Sequence, residues 1–134
     1  MKIFTPFEAS RTLPLVRKIV ADVLERGREL RELGSMDELS GEQEDRAHAL
    51  GHELEELFQE LAQVGCSFRS PDYSFGLVDF PGLIDGKPVH LCWKDDEPDL
   101  RYFHEPNAGF TARKPIPAHL LAATPAAPAS SSSS

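Results

Sequence analysis

Apolar residues recur every three or four positions over the first half of the chain and then switch to alternation, which divides the sequence into a helical part and a sheet part. The first helical pattern opens at Thr5-Pro6-Phe7-Glu8. Thr5 can cap the N-terminus, Pro6 suits a first helical position whose N–H would be unpaired anyway, and Glu8 closes a capping box. Phe4 is placed to staple against Ala9. Leu13, Val16, Val20, Val23 and Leu30 form one stripe, with Gly27 in an apolar slot and Gly34 as the stop. Pro14 removes a backbone donor within this stretch, so a kink or a separate short first segment is expected.

A second signature, Ser40-Gly41-Glu42-Gln43, precedes a heptad seam of Ala47, Leu50, Leu54, Leu57, Leu61 and Val64, which Gly65 ends. Acids dominate the outward positions of this helix, whereas the first helix offers Arg17, Lys18, Arg26, Arg28 and Arg31. Opposite charge beside two apolar stripes, joined by a short polar loop, predicts an antiparallel helical hairpin.

From Phe75 the apolar period shortens. The run to Ile84 meets Asp85-Gly86, a strong two-residue hairpin turn, and the chain returns through Lys87 to Lys94. A polar loop over Asp95 to Asp99 leads to a third strand from Leu100 to Glu105. Pro81 and Pro88 lack donors and belong at a bulge, a strand end or an outward-facing edge. The expected fold is α+β: an antiparallel helical hairpin packed on a three-stranded antiparallel meander, with Phe80, Leu91, Trp93 and the leucine stripes as core. A single domain over residues 1–117 is expected, followed by an Ala/Pro/Ser-rich tail over 118–134 that buries too little to order itself.

The turn register makes the candidate chemistry visible. A two-residue turn at Asp85-Gly86 sets Val78 opposite Trp93, Phe80 opposite Leu91 and Gly82 opposite Val89 on one face. The other face then carries Asp79 opposite Cys92 and Pro81 opposite His90. If the next loop joins strands two and three, Cys92 meets Tyr102 and His90 meets His104 on that same face. Asp79, His90, Cys92 and His104 are metal-ligand side chains, and a mixed oxygen, nitrogen and sulfur set suits a divalent transition ion such as zinc, iron or manganese. His48 and His52, four apart on the second helix, lie off the seam and read as surface residues, without the glutamate that metalloprotease chemistry requires.

Composition narrows the classes. A net charge of −8 over 134 residues opposes phosphate neutralisation, so nucleic acid is not an expected partner. No apolar run reaches the length of a membrane span and no secretory signal pattern opens the chain; a soluble, cytoplasmic protein is expected, with Cys66 and Cys92 as free thiols. No nucleophile elbow, phosphate-cradling glycine loop or dinucleotide fingerprint is present.

The strings Gly76-Leu77-Val78-Asp79-Phe80-Pro81, Leu91-Cys92-Trp93, Tyr102-Phe103-His104-Glu105 and Gly109-Phe110 with Arg113, together with the opening Phe4-Thr5-Pro6-Phe7-Glu8-Ala9, resemble a bacterial family called domain of unknown function 2203. The resemblance spans Ile3 to about Pro115. It implies that Asp79, Cys92, Trp93, Glu97, His104, Glu105 and Arg113 matter as a set, and it brings no activity. Where this chain has His90 the family usually shows an aromatic residue. Two function classes follow as expectations. The leading one is a non-enzymatic interaction or scaffold domain, a homodimer that pairs through leftover heptad surface or binds another protein. The other is a small metal-binding protein or metalloenzyme with its site on the sheet around His104, Glu105 and Asp79.

Overall fold

Both capping boxes form. In the computed structural model, which describes residues 2–70 and 72–122, helix α1 spans Pro6–Gly34 and α2 spans Gly41–Val64. The Thr5 side chain accepts from the Glu8 backbone N–H while Glu8 accepts from Thr5, and Ser40 and Gln43 repeat the exchange. Gly65 ends α2 with a φ of 111°, a left-handed backbone that glycine adopts without steric cost. Helix α1 runs through Pro14 without dividing, so of the two expectations, a kink or a separate short first segment, the second is not met. Pro14 itself faces solvent, while Leu13 and Val16 on either side of it are buried, so packing holds the turn that the missing hydrogen bond weakens.

The helices pair through ions as well as through leucines. Arg26 Nε lies 2.7 Å from Glu53 and Arg46 Nε lies 2.7 Å from Glu29, and pairing 26 with 53 and 29 with 46 is the order of an antiparallel pair. The seam faces inward: Leu50, Leu54, Leu57 and Leu61 are all buried within the chain itself. Gly27 is buried too, because the Tyr73 ring occupies the space its Cβ would need, at 2.2 Å.

Among the described residues the sheet has five strands, not the three expected, in the order β1 (Ser67–Arg69), β2 (Leu77–Ile84), β3 (Lys87–Lys94), β4 (Tyr102–His104) and β5 (Lys114–Pro115), each antiparallel to its neighbour. The added strands hold three and two residues, too few for alternation to show in a sequence. Strand β4 is also shorter than the Leu100 to Glu105 expected, and Leu100 packs into the core beside it.

The hairpin register is the one its turn implies. Asp85 and Gly86 have φ of 53° and 76°, a type I′ turn, and Ile84 pairs with Lys87, Phe80 with Leu91 and Val78 with Trp93. On the far edge of β2 the Phe4 N–H donates to the Pro81 carbonyl at 2.7 Å, so Pro81 turns its donorless nitrogen to that edge and away from β3. Gly82 permits this approach, since a Cβ there would lie 2.9 Å from the Phe4 carbonyl oxygen. Val78, Phe80, Leu91 and Trp93 are fully buried on one face, where the Arg17 guanidinium of α1 lies 5.4 Å over the Trp93 ring. The opposite face carries the polar residues.

The chain continues to pack past Pro117. A short helix α3, Ala118–Leu121, sets Leu120 and Leu121 against the core; the rest of the expected tail, residues 123–134, lies outside the described residues.

Candidate metal centre

Alternation on β2 and β3 sends Asp79 and Cys92 to the face away from the helices, and β4 brings His104 beside them. One ligand atom from each of Asp79, Cys92 and His104 lies within 4.8 Å of the others, and all three residues are buried. Asp79 and His104, at 7% and 5% exposure, are the buried charged or polar side chains among the described residues, and they adjoin each other. Burying ionisable groups is costly unless they are paired or hold a cation, so this placement points to a purpose.

The hydrogen bonds fix which atoms face inward. His104 Nδ1 lies 2.9 Å from the Glu105 carbonyl oxygen, which can only accept, so Nδ1 carries the proton. Nε2 then faces Asp79 Oδ1 at 3.3 Å, with a lone pair in the neutral ring or a second N–H in the imidazolium. Two acceptors at that separation repel unless a proton or a cation lies between them. A backbone carbonyl holding one ring nitrogen while the other faces outward is the arrangement that orients histidine ligands to metals. Asp79 Oδ2 lies 3.6 Å from both Arg69 Nε and His90 Nδ1, which leaves Oδ1 to the cluster.

Burial pushes the Cys92 thiol up to about 12; the Asp79 carboxylate adds to the rise and the Arg113 guanidinium opposes it. Burial lifts Cys66 to about 12 as well, against a backbone hydrogen bond that lowers it, and its sulfur donates to the Leu61 carbonyl, as expected of a buried thiol. Both folded values exceed the ordinary 9.0. Their contribution to stability is therefore intact below about pH 9 and is lost as the pH rises towards 12. Metal-free protein should show a falling denaturant midpoint across that window, and a shallower fall in Cys92→Ala. Because a metal takes the thiolate, zinc binding at neutral pH should release about one proton per chain, and close to none in Cys92→Ser, as calorimetry in buffers of differing ionisation enthalpy would record. A proton count unchanged by the substitution would remove Cys92 from the ligand set.

Beside the cluster stands a second charged group. Arg113 and Glu97, each with 14% of its side chain exposed, pair in a two-pronged bond with Nη2–Oε2 at 2.8 Å and Nη1–Oε1 at 3.0 Å. The guanidinium lies 4.3 Å over the Tyr102 ring and 4.2 Å over the Phe110 ring. Glu97 also accepts from the Lys94 backbone N–H, and its carbonyl accepts from Trp93 Nε1. This clamp ties the loop after β3 to the 3-10 turn Phe110–Ala112.

The description "Uncharacterized conserved protein (DUF2203)" matches residues 2–116. The chain belongs to the DUF2203 family. No curated protein and no solved structure matches it. Every residue of the cluster and of the clamp falls inside the DUF2203 span.

Of the site residues expected from the sequence, Asp79, Cys92 and His104 converge, and His90 stands at the rim with its ring 5.2 Å from that of His104. The Glu105 carboxylate does not join them. Adjacent strand positions face opposite ways, so Glu105 is exposed beside Lys87 and Phe103 in another depression, and only its carbonyl serves His104. Trp93, Glu97 and Arg113, implied by the resemblance, form the clamp and its anchor. His48 and His52 are exposed on α2. Sequence reasoning missed Arg69, whose strand pairs Arg69 with Leu77 and Ser67 with Asp79; its only signal was the short Ser67-Phe68-Arg69 alternation after Gly65.

Proposed function

We propose that this DUF2203 protein binds one divalent transition ion, zinc in the first place, between Asp79 Oδ1, Cys92 Sγ and His104 Nε2. The observation that carries the reading is the His104 ring, held by the Glu105 carbonyl with Nε2 3.3 Å from a buried carboxylate and with a buried sulfur inside the same 4.8 Å cluster. Ligand atoms around a tetrahedral zinc stand roughly 3.5 Å apart, so closure asks for movements of about an ångström. Oxygen, nitrogen and sulfur together favour zinc over the harder ions, which prefer oxygen alone.

Self-association through the helices is the second reading. The seam leucines are spent inside the chain, so a second copy would meet Leu15 and Met36, exposed at 53% and 46%, rather than a leftover heptad surface.

The test is elemental analysis by plasma mass spectrometry on tag-free protein purified without chelator and without a nickel column. About one zinc, iron or manganese per chain is expected, with loss in Cys92→Ser. Chains free of metal, and refusing added zinc after reduction, would sink the metal reading and leave the self-association reading.

A further inference from the structure

We infer that the metal centre has an open side built for a small oxyanion, a ligand of acetate or phosphate size, received by Arg69 with His90 beside it. The inference rests on the metal reading above. Three protein ligand atoms leave a tetrahedral ion one position short, and sites of that kind use the fourth position for water or for a small ligand. The cluster borders a depression of about 190 Å³, room enough for an anion of acetate or phosphate size.

The charges on its walls are unlike those of the rest of the molecule. The chain carries −8, yet among the described residues the depression has a single acid, Asp79, and that carboxylate is committed to the ion. With a doubly charged ion, one carboxylate and one thiolate, the core is neutral, and Arg69 then makes the mouth cationic. Its side chain is 60% exposed and sits 3.6 Å from Asp79 Oδ2, within reach both of the ligand residue and of the mouth. A guanidinium offers a planar pair of donors that matches a carboxylate or a phosphate edge. Leu77 and Phe110 supply apolar walls, which strengthen a charge-assisted bond by excluding water. His90 is the one further imidazole in the lining, and a closed site would have to take it as fourth ligand.

Cobalt separates these arrangements, because its thiolate charge-transfer band reports the metal site and its visible bands report the fourth ligand. Chelator-stripped, reduced protein titrated with cobalt(II) in a weakly coordinating salt should develop the charge-transfer band, absent in Cys92→Ser. Acetate or phosphate, added separately at constant ionic strength, should then shift the visible bands with saturation; the tighter of the two identifies a carboxylate or an inorganic source. Arg69→Gln should keep the charge-transfer band and weaken anion binding about tenfold, the loss of one charge-assisted contact. No cobalt band at all would overturn the metal reading and this inference with it. A normal band that neither anion alters would overturn the open side alone, as would a visible spectrum changed by His90→Ala, the mark of a closed site. Anion binding of equal strength in Arg69→Gln would overturn the role of Arg69.

Discussion

His104→Ala is expected to abolish the part of this protein's thermal stability that a chelator removes. An ion that binds only the folded chain adds about 4 kcal/mol when free metal stands a thousandfold above Kd. This chain falls between small domains, where each kcal/mol moves the midpoint by about 4–8 °C, and larger ones, at about 2–4 °C; at about 4 °C each, wild-type protein with zinc should melt on the order of 15 °C above the stripped form. In His104→Ala the two curves should coincide. The comparison is between each protein with and without metal, because the substitution also deprives Asp79 of its partner and lowers the stripped midpoint on its own account. Wild-type curves that coincide with and without zinc would count against the site itself.

The second large effect belongs to the clamp. Glu97→Ala strands a guanidinium that is 14% exposed and held between two rings, and opening such a pair from one side costs about 3 kcal/mol. Arg113→Met should cost a comparable amount, since it leaves the Glu97 carboxylate with the Lys94 N–H alone among its charged and main-chain donors. The combination Glu97→Gln with Arg113→Met removes both charges and should recover most of the loss, because a neutral, apolar filling of such a site often matches the ion pair in stability. Urea unfolding of Glu97→Gln, Arg113→Met and their combination closes the cycle and measures the coupling. Losses that simply add would show that the pair acts as two independent surface charges.

The cluster of Asp79, Cys92 and His104 adjoins the clamp at Cys92, whose thiol Asp79 pushes up and Arg113 pulls down. That contact gives the seven residues singled out by the family resemblance a physical division of labour. Asp79, Cys92 and His104 present donor atoms, Glu105 lends a carbonyl, and Glu97 with Arg113 and Trp93 holds the neighbouring loops in place.

Much of this was legible in the chain. The Thr5 and Ser40 caps, the Gly65 stop, the two stripes and the Asp85-Gly86 turn are each decided by residues within one or two turns of one another, so the sequence by itself determined the helices, the central hairpin and its register. Register in turn places Asp79 beside Cys92 and His90 beside His104, since a side chain's face in a strand depends only on counting from the turn. Tertiary structure alone decided the rest. Whether the helix after Pro14 breaks depends on what packs against Leu13 and Val16, and whether Ser67-Phe68-Arg69 becomes a strand depends on an edge of β2 that must already exist. The burial of Asp79 and His104, the approach of Arg69 and the closure of Arg113 on Glu97 join positions from 16 to 25 residues apart or pair β1 with β2 across a loop. No local preference encodes such distances; they follow from how the loops and the helix pair set one strand against the next.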